Sequence, residues 1–224
     1  MRLILFGATG MIGQGVLRES LRDARVDSVL SISRRPSGRI HPKFREIVRA
    51  DPGDLSGLEA ELKGRDACLF CLGISSVGLR EAQYAAVTEQ LTLRVATALA
   101  GLDPGMTFVY VSAAGSDASE RGRVMWARVR GRTENALFRL PFKRVYAVRP
   151  AGIRPRHGIR SRTPYVDAFY RLLAPALPVI QRALPSVLTD TDELARAMLR
   201  LAREGGMVRV IEARDIPGLG RTEP

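Results

Sequence analysis

The stretch LILFGATGMIG, residues 3–13, runs from an apolar segment into three glycines, each separated from the next by two residues. Leu3 to Phe6 reads as a short buried strand and Met11 to Arg22 as an amphipathic helix. The turn between them has to be tight. Gly7 permits that turn, Gly10 removes a side chain where a pyrophosphate would approach the backbone, and Gly13 allows close packing of helix on strand. The helix N-terminus then offers its free N–H groups to an anion. With a strand before it and a helix after it, the glycine string has the context of a dinucleotide-binding turn. Thr9, Met11 and Ile12 complete the loop that would meet the phosphates.

The same alternation continues outward. Short apolar runs at Ser28–Ile32, Phe44–Val48, Ala67–Leu72, Thr107–Val111 and Arg144–Val148 read as strands, and Leu55–Leu62, Arg80–Leu99 and Val124–Leu140 as helices. Asp190 and Glu193 can form a capping box for a last helix to about Arg203, and Met207–Glu212 reads as a closing strand. This pattern predicts an α/β fold, a doubly wound, mostly parallel Rossmann-like sheet with helices on both faces. One domain covers residues 1–224, and 151–190 is expected to form a substrate-side lid, with helical pieces at 165–173 and 176–184 bounded by prolines.

Composition sets the outer limits. A hydrophobic content of 46% over 224 residues is enough for one buried core without metals or disulfides. The apolar run Leu172–Ile180, interrupted by Pro175 and Pro178, is far below the roughly 20 residues of a membrane span. The apolar stretch before Gly7 is too short for a signal-peptide core, which leads to an expectation of a cytoplasmic protein. Cys68 and Cys71 stand in C-x-x-C spacing, but on a strand they point to opposite faces, so they read as core residues and no metal site is expected. The net charge of +12 is concentrated: residues 121–162 hold twelve arginines and one lysine against one acid, Glu134. A concentrated positive stretch suggests an anionic small-molecule substrate or a docking surface. No helix-turn-helix, zinc or aromatic-platform signal points to nucleic acid. The pieces within 165–184 are expected to cover the sheet edge rather than rest on a membrane.

The spacing G-x-x-G-x-x-G resembles that of the extended and atypical short-chain dehydrogenase/reductases, the NAD-dependent epimerase/dehydratase group. Asp51 with Asp54 after the third strand is similar to that family's adenine-side acid. Cys71-Leu72-Gly73 matches its cofactor-flanking turn, VSAAG at 111–115 falls where the family keeps a serine, and Arg149-Pro150-Ala151-Gly152 resembles its R-P-G segment. The resemblance covers roughly the first 155 residues. It implies a nicotinamide dinucleotide cofactor and an oxidoreductase or epimerase-type activity on a small anionic or carbonyl substrate. The charge at the end of the second strand refines the cofactor. Where an NAD enzyme places an acid for the ribose 2′-OH, this chain has Ser33-Arg34-Arg35 and no carboxylate until Glu46. Arginine there suits a 2′-phosphate, so NADP(H) is expected.

The catalytic signature departs from the family. The resemblance implies a Tyr and a Lys four residues apart on the fifth helix, and the matching register puts Trp126 and Arg130 there. Arg130 can still bond a ribose hydroxyl, but an indole N–H does not transfer a proton near neutral pH. Ser112 is the expected oxyanion donor, with Trp126, Arg154 and Arg156 facing the substrate. Tyr110 and Tyr146 lie in strands, and His157 is a candidate replacement acid, whereas His41 reads as structural or exposed. The alternative is a catalytically silent NADP(H)-sensing regulator that docks a partner through the basic window.

Overall fold

The computed structural model describes residues 1–159 and 188–221. The segments 165–173 and 176–184, expected to be helical, lie outside the described residues. β1 (Arg2–Phe6), β2 (Ser28–Ser33), β3 (Phe44–Val48), β4 (Ala67–Phe70), β5 (Thr107–Val111), β6 (Arg144–Arg149) and a further strand at Val210–Glu212 form one sheet. Its order, with that further strand at one edge, is β3-β2-β1-β4-β5-β6, and every pairing is parallel. The chain starts in the middle, winds outward to β3, then returns to the other side of β1. Strand order therefore reverses between β1 and β4, the crevice where doubly wound sheets bind ligands.

Side-chain alternation along the strands divides the core in two. Leu3, Leu5, Leu69 and Val109 face one cluster with Val16 and Leu17 of α1 (Met11–Arg22) and Leu194, Met198 and Leu201 of a C-terminal helix at Thr191–Arg203. Ile4, Phe6, Cys68, Phe70 and Phe108 face the other, beneath Leu62 of α2 (Glu59–Leu62), Val95 and Leu99 of a later helix at Leu91–Leu102, and Leu137 of the helix Met125–Leu137. In chain order we call the helix at Glu81–Ala85 α3, then those at Leu91–Leu102 α4, Met125–Leu137 α5 and Thr191–Arg203 α6. A π-helical turn at Ala86–Gln90 joins α3 to α4. Cys68 and Cys71 are free thiols that pack into opposite clusters, as strand geometry requires.

Three local departures from the sequence reading have physical causes. The second helix begins at Glu59 instead of Leu55 because Gly57 takes φ +72, a left-handed conformation that interrupts helix propagation. The segment after Pro150, read as loop, includes a three-residue strand β7 (Gly152–Arg154) paired in parallel with β8 (Leu188–Asp190), too short to show periodicity. The last sheet strand, β9, is confined to Val210–Glu212. The capping box at α6 is formed: the Asp190 carboxylate accepts from the N–H groups of Asp192 and Glu193 at 3.0 and 2.8 Å, and the Glu193 side chain accepts from the Asp190 N–H.

Candidate functional site

Two clefts lie side by side at the carboxyl edge of the sheet, either side of the strand-order reversal. The first, of about 350 Å³, is lined by Gly7, Thr9, Ser33, Arg34, Arg35, Pro52 and Leu72. Gly7 has φ +85, and a Cβ on it would stand 2.7 Å from the Cys71 carbonyl. A Cβ on Gly13 would stand 1.9 Å from the Gly7 oxygen, so α1 can lie against the turn only because that residue is bare. A Cβ on Gly10 would meet nothing closer than 3.4 Å, leaving its outer side open. The N-terminus of α1 has no side-chain cap and no acid in its first turn, which leaves its dipole and N–H groups to an external anion. Met11 and Ile12 supply those N–H groups while their side chains pack on the core.

At the far end of this cleft Arg34 and Arg35 are exposed, and among the described residues neither guanidinium has a carboxylate partner. The nearest following acid, Glu46, is already occupied: it accepts from the Ser33 hydroxyl at 3.1 Å and from the Ser37 N–H at 2.8 Å. Asp51 is likewise engaged, accepting from Arg94 at 2.7 and 2.9 Å and from the Gly53 N–H. Its segment reaches the cleft through Pro52. Asp54 caps a turn at Ser56 instead.

The second cleft, about 390 Å³, is lined by residues that follow β4, β5 and β6, including Ile74, Ser75, Ala113 and Pro150, together with Trp126 and Arg130 of α5 and Tyr84 of α3. Leu72 lines the first cleft and Ile74 the second, with Gly73 between them. Arg130 reaches toward that junction: its Nη2 lies 3.9 Å from where a Cβ on Gly73 would stand. Its Nε donates to the Tyr84 hydroxyl at 2.9 Å and its Nη1 to the Val111 carbonyl at 3.3 Å. Burial works against the charge on Arg130, but Tyr110, the hydrogen bond to Tyr84 and the Glu134 carboxylate together outweigh it and hold the proton more firmly than usual. Trp126 is half-buried beside Tyr84 and Val129.

The structure moves several expected residues away from this chemistry. Ser112 is buried, with its hydroxyl bonded to the Glu134 carboxylate and 3.0 Å from the Ser116 hydroxyl. Its place is in the support beneath the cleft, where the oxyanion-donor expectation had put it on the surface of the site. His157 bonds Asp192 at 2.6 Å and, with His41, Arg18 and Arg39, lines a separate cleft. It is therefore not the replacement acid. Arg156 faces Asp190 at 3.7 Å. Tyr110 sits in the core, where burial pushes its phenol up to about 12. Tyr84 escaped the sequence reading because it lies 46 residues from Arg130 on another helix, where no spacing rule applies.

The basic window is also less exposed than its local charge suggests. Arg128 pairs with Glu81 at 2.6 Å, Arg132 with Glu81 and Glu89 at 3.1 and 3.2 Å, and Arg149 with Glu212 at 2.9 Å. The acids come from α3, the π-helical turn and β9, so folding pairs three of the window's arginines with acids that lie far from them in sequence.

These features are those of a Rossmann-like α/β protein with a doubly wound parallel sheet, and solved structures agree on the fold. The chain superposes on the Bordetella bronchiseptica enzyme WbmH in complex with NAD+, with a TM-score of 0.63 and 17% identity over 94% of this chain and 73% of that one. It also superposes on a UDP-N-acetylglucosamine 4-epimerase from Methanobrevibacter ruminantium, with a TM-score of 0.69 and 15% identity over 94% and 74%. No sequence-family model matches the chain. In sequence it is similar to a protein of Chaetomium globosum named FMP52, mitochondrial, at 28% identity over 98% of this chain and 97% of the relative. It is similar too to leucinostatins biosynthesis cluster protein T of Purpureocillium lilacinum, at 29% identity over 92% and 86%.

The mitochondrial names among these relatives overturn the expectation of a cytoplasmic protein. That expectation came from the absence of a long apolar run, which bears on secretion; mitochondrial targeting segments are amphipathic and arginine-rich and leave no such trace. Among the described residues no helix is long and apolar enough to cross a membrane.

Proposed function

We propose that this protein is an NADP(H)-dependent oxidoreductase, with the dinucleotide across the two clefts and a small carbonyl substrate in the second. The observation that carries the reading is the first cleft, where a bare glycine turn and an uncapped helix N-terminus share one hollow with two arginines that no described acid neutralises. Gly7, Gly10 and the amides of Met11 and Ile12 would hold the pyrophosphate, Arg34 and Arg35 the 2′-phosphate, and Arg130, beside Gly73, the nicotinamide-side ribose. Asp51 and Pro52 would flank the adenine side. The solved proteins of this fold crystallised with NAD+ support a nicotinamide dinucleotide; the arginine pair supports its phosphorylated form. When bound, the cofactor supplies or accepts the hydride, and this chain's residues orient it and manage the proton. A cavity of a few hundred Å³ suits a small ligand.

The double variant Arg34→Ala/Arg35→Ala tests the assignment. A charge-assisted bond contributes roughly 1.5–3 kcal/mol, so NADPH affinity measured by fluorescence titration is expected to fall about 10- to 100-fold, with NADH affinity little changed. Equal losses for both cofactors, or an undiminished preference for NADPH, would remove the 2′-phosphate role.

A further inference from the structure

We infer that Tyr84 is the catalytic proton donor of this site and that Arg130 positions it, a pair drawn from two helices in place of a tyrosine and lysine on one. The inference rests on the proposed oxidoreductase reading and supplies the proton transfer that Trp126 cannot. Its basis is geometric. Tyr84 is only 2% exposed, but it borders the second cleft, and its hydroxyl oxygen accepts from Arg130 Nε at 2.9 Å. An oxygen that accepts this way keeps its own proton for donation, and among the described residues nothing takes it. Of the other hydroxyls nearby, Ser112 is committed to Glu134 and Tyr110 to the core between Phe70 and α5, while Ser75 and Ser76, which also line the cleft, carry alkyl hydroxyls that are far weaker acids than a phenol.

The helix that carries Tyr84 is held for this task. Glu81 and Glu89 bracket it and clamp Arg128 and Arg132, one turn apart on α5, so the two helices are fixed with Arg130 toward the cleft. Two residues beyond Tyr84 the helix widens into the π-helical turn Ala86–Gln90, a rare irregularity that is frequent at functional sites. In carbonyl reduction, hydride reaches the carbonyl carbon as the Tyr84 O–H bond breaks and its proton moves to the carbonyl oxygen, giving the alcohol and NADP+. The phenolate left behind is stabilised by the Arg130 guanidinium and regains a proton from water. Oxidation of an alcohol reverses these transfers.

Isatin, a soluble dicarbonyl, serves as the probe, with two measurements on the full chain. In protein labelled with 13Cζ-tyrosine and free of cofactor, the Tyr84 resonance, assigned by its loss in Tyr84→Phe, is expected to shift on adding isatin. With NADPH, Tyr84→Phe is expected to lose about 10²- to 10⁴-fold in kcat while binding NADPH as the wild type does. Arg130→Lys, which keeps a cationic donor, is expected to retain far more turnover than Arg130→Met. A Tyr84 resonance unmoved by isatin, a Tyr84→Phe variant as fast as wild type, or no wild-type turnover with NADPH bound would each overturn the inference. Failure to bind NADPH would instead overturn the cofactor reading, and the cofactor-free resonance would still decide the role of Tyr84.

Discussion

Gly13→Ala is expected to lower the melting temperature by roughly 10 °C and to abolish dinucleotide binding. The added Cβ would stand 1.9 Å from the Gly7 oxygen and 2.6 Å from the Gly7 carbonyl carbon. Both are backbone atoms, so no side-chain rotation relieves the clash. The Gly7 carbonyl also accepts from the Gly10 N–H at 2.9 Å, the bond that closes the turn. Moving α1 away therefore breaks the turn and displaces the helix N-terminus from the phosphates. Overpacking of this kind costs about 3 kcal/mol, and in a domain of this size each kcal/mol shifts the melting temperature by about 2–4 °C. Gly101→Ala on α4 is the control, since nothing lies within 4 Å of its added Cβ. It is expected to leave stability unchanged or raise it by up to about 1 kcal/mol, as alanine replaces glycine in a helix. Thermal melts showing both variants alike would contradict the packing argument.

Glu134→Ala is expected to be the most damaging substitution outside the glycine turn. This carboxylate is 1% exposed. It accepts from Arg149 Nε at 3.0 Å and from Nη2 of the same guanidinium, and it receives the Ser112 hydroxyl. Removing it strands a largely buried guanidinium with, among the described residues, only the half-exposed Glu212 to face it. Breaking one partner of a buried ion pair costs about 3–5 kcal/mol. The consequence reaches the second cleft because Ser112 directly follows β5 and Arg149 ends β6, and the residues after them, Ala113 and Pro150, line that cleft. Glu134→Gln keeps the shape and some of the hydrogen bonds, so it is expected to lose less stability than alanine in denaturant titrations. A loss below about 1 kcal/mol for Glu134→Ala, the size of an exposed pair, would show that the network contributes little.

The fold was legible because it is written in local signals. The glycine string sits between a strand and a helix, and the apolar runs that became β1, β3 and β5 are bounded by turn residues, so topology followed from alternation alone. The capping box at Asp190 and Glu193 was equally local. The first cleft was legible for the same reason: the glycine turn and Arg34-Arg35 follow β1 and β2, which are close in sequence and neighbours in the sheet. The second cleft was not. Its defining contact joins Tyr84 to Arg130 across 46 residues, and the clamp that fixes it pairs Glu81 and Glu89 with arginines that looked unpaired along the chain. Ser112 misled because a hydroxyl at a strand end has the same sequence signature whether it faces a ligand or a buried acid such as Glu134. His157 misled similarly, since position in a loop after β6 does not reveal that Asp192 will hold its ring.

The account stands on the first cleft holding a phosphorylated dinucleotide, and calorimetric titration of the full chain with NADPH and NADH in parallel measures that directly. Saturable heat with a single site, and NADPH bound at least about tenfold more tightly than NADH, equivalent to about 1.4 kcal/mol, is the expected result. Tighter binding of NADH would contradict the role of Arg34 and Arg35. No heat with either would contradict the assignment of the glycine turn itself.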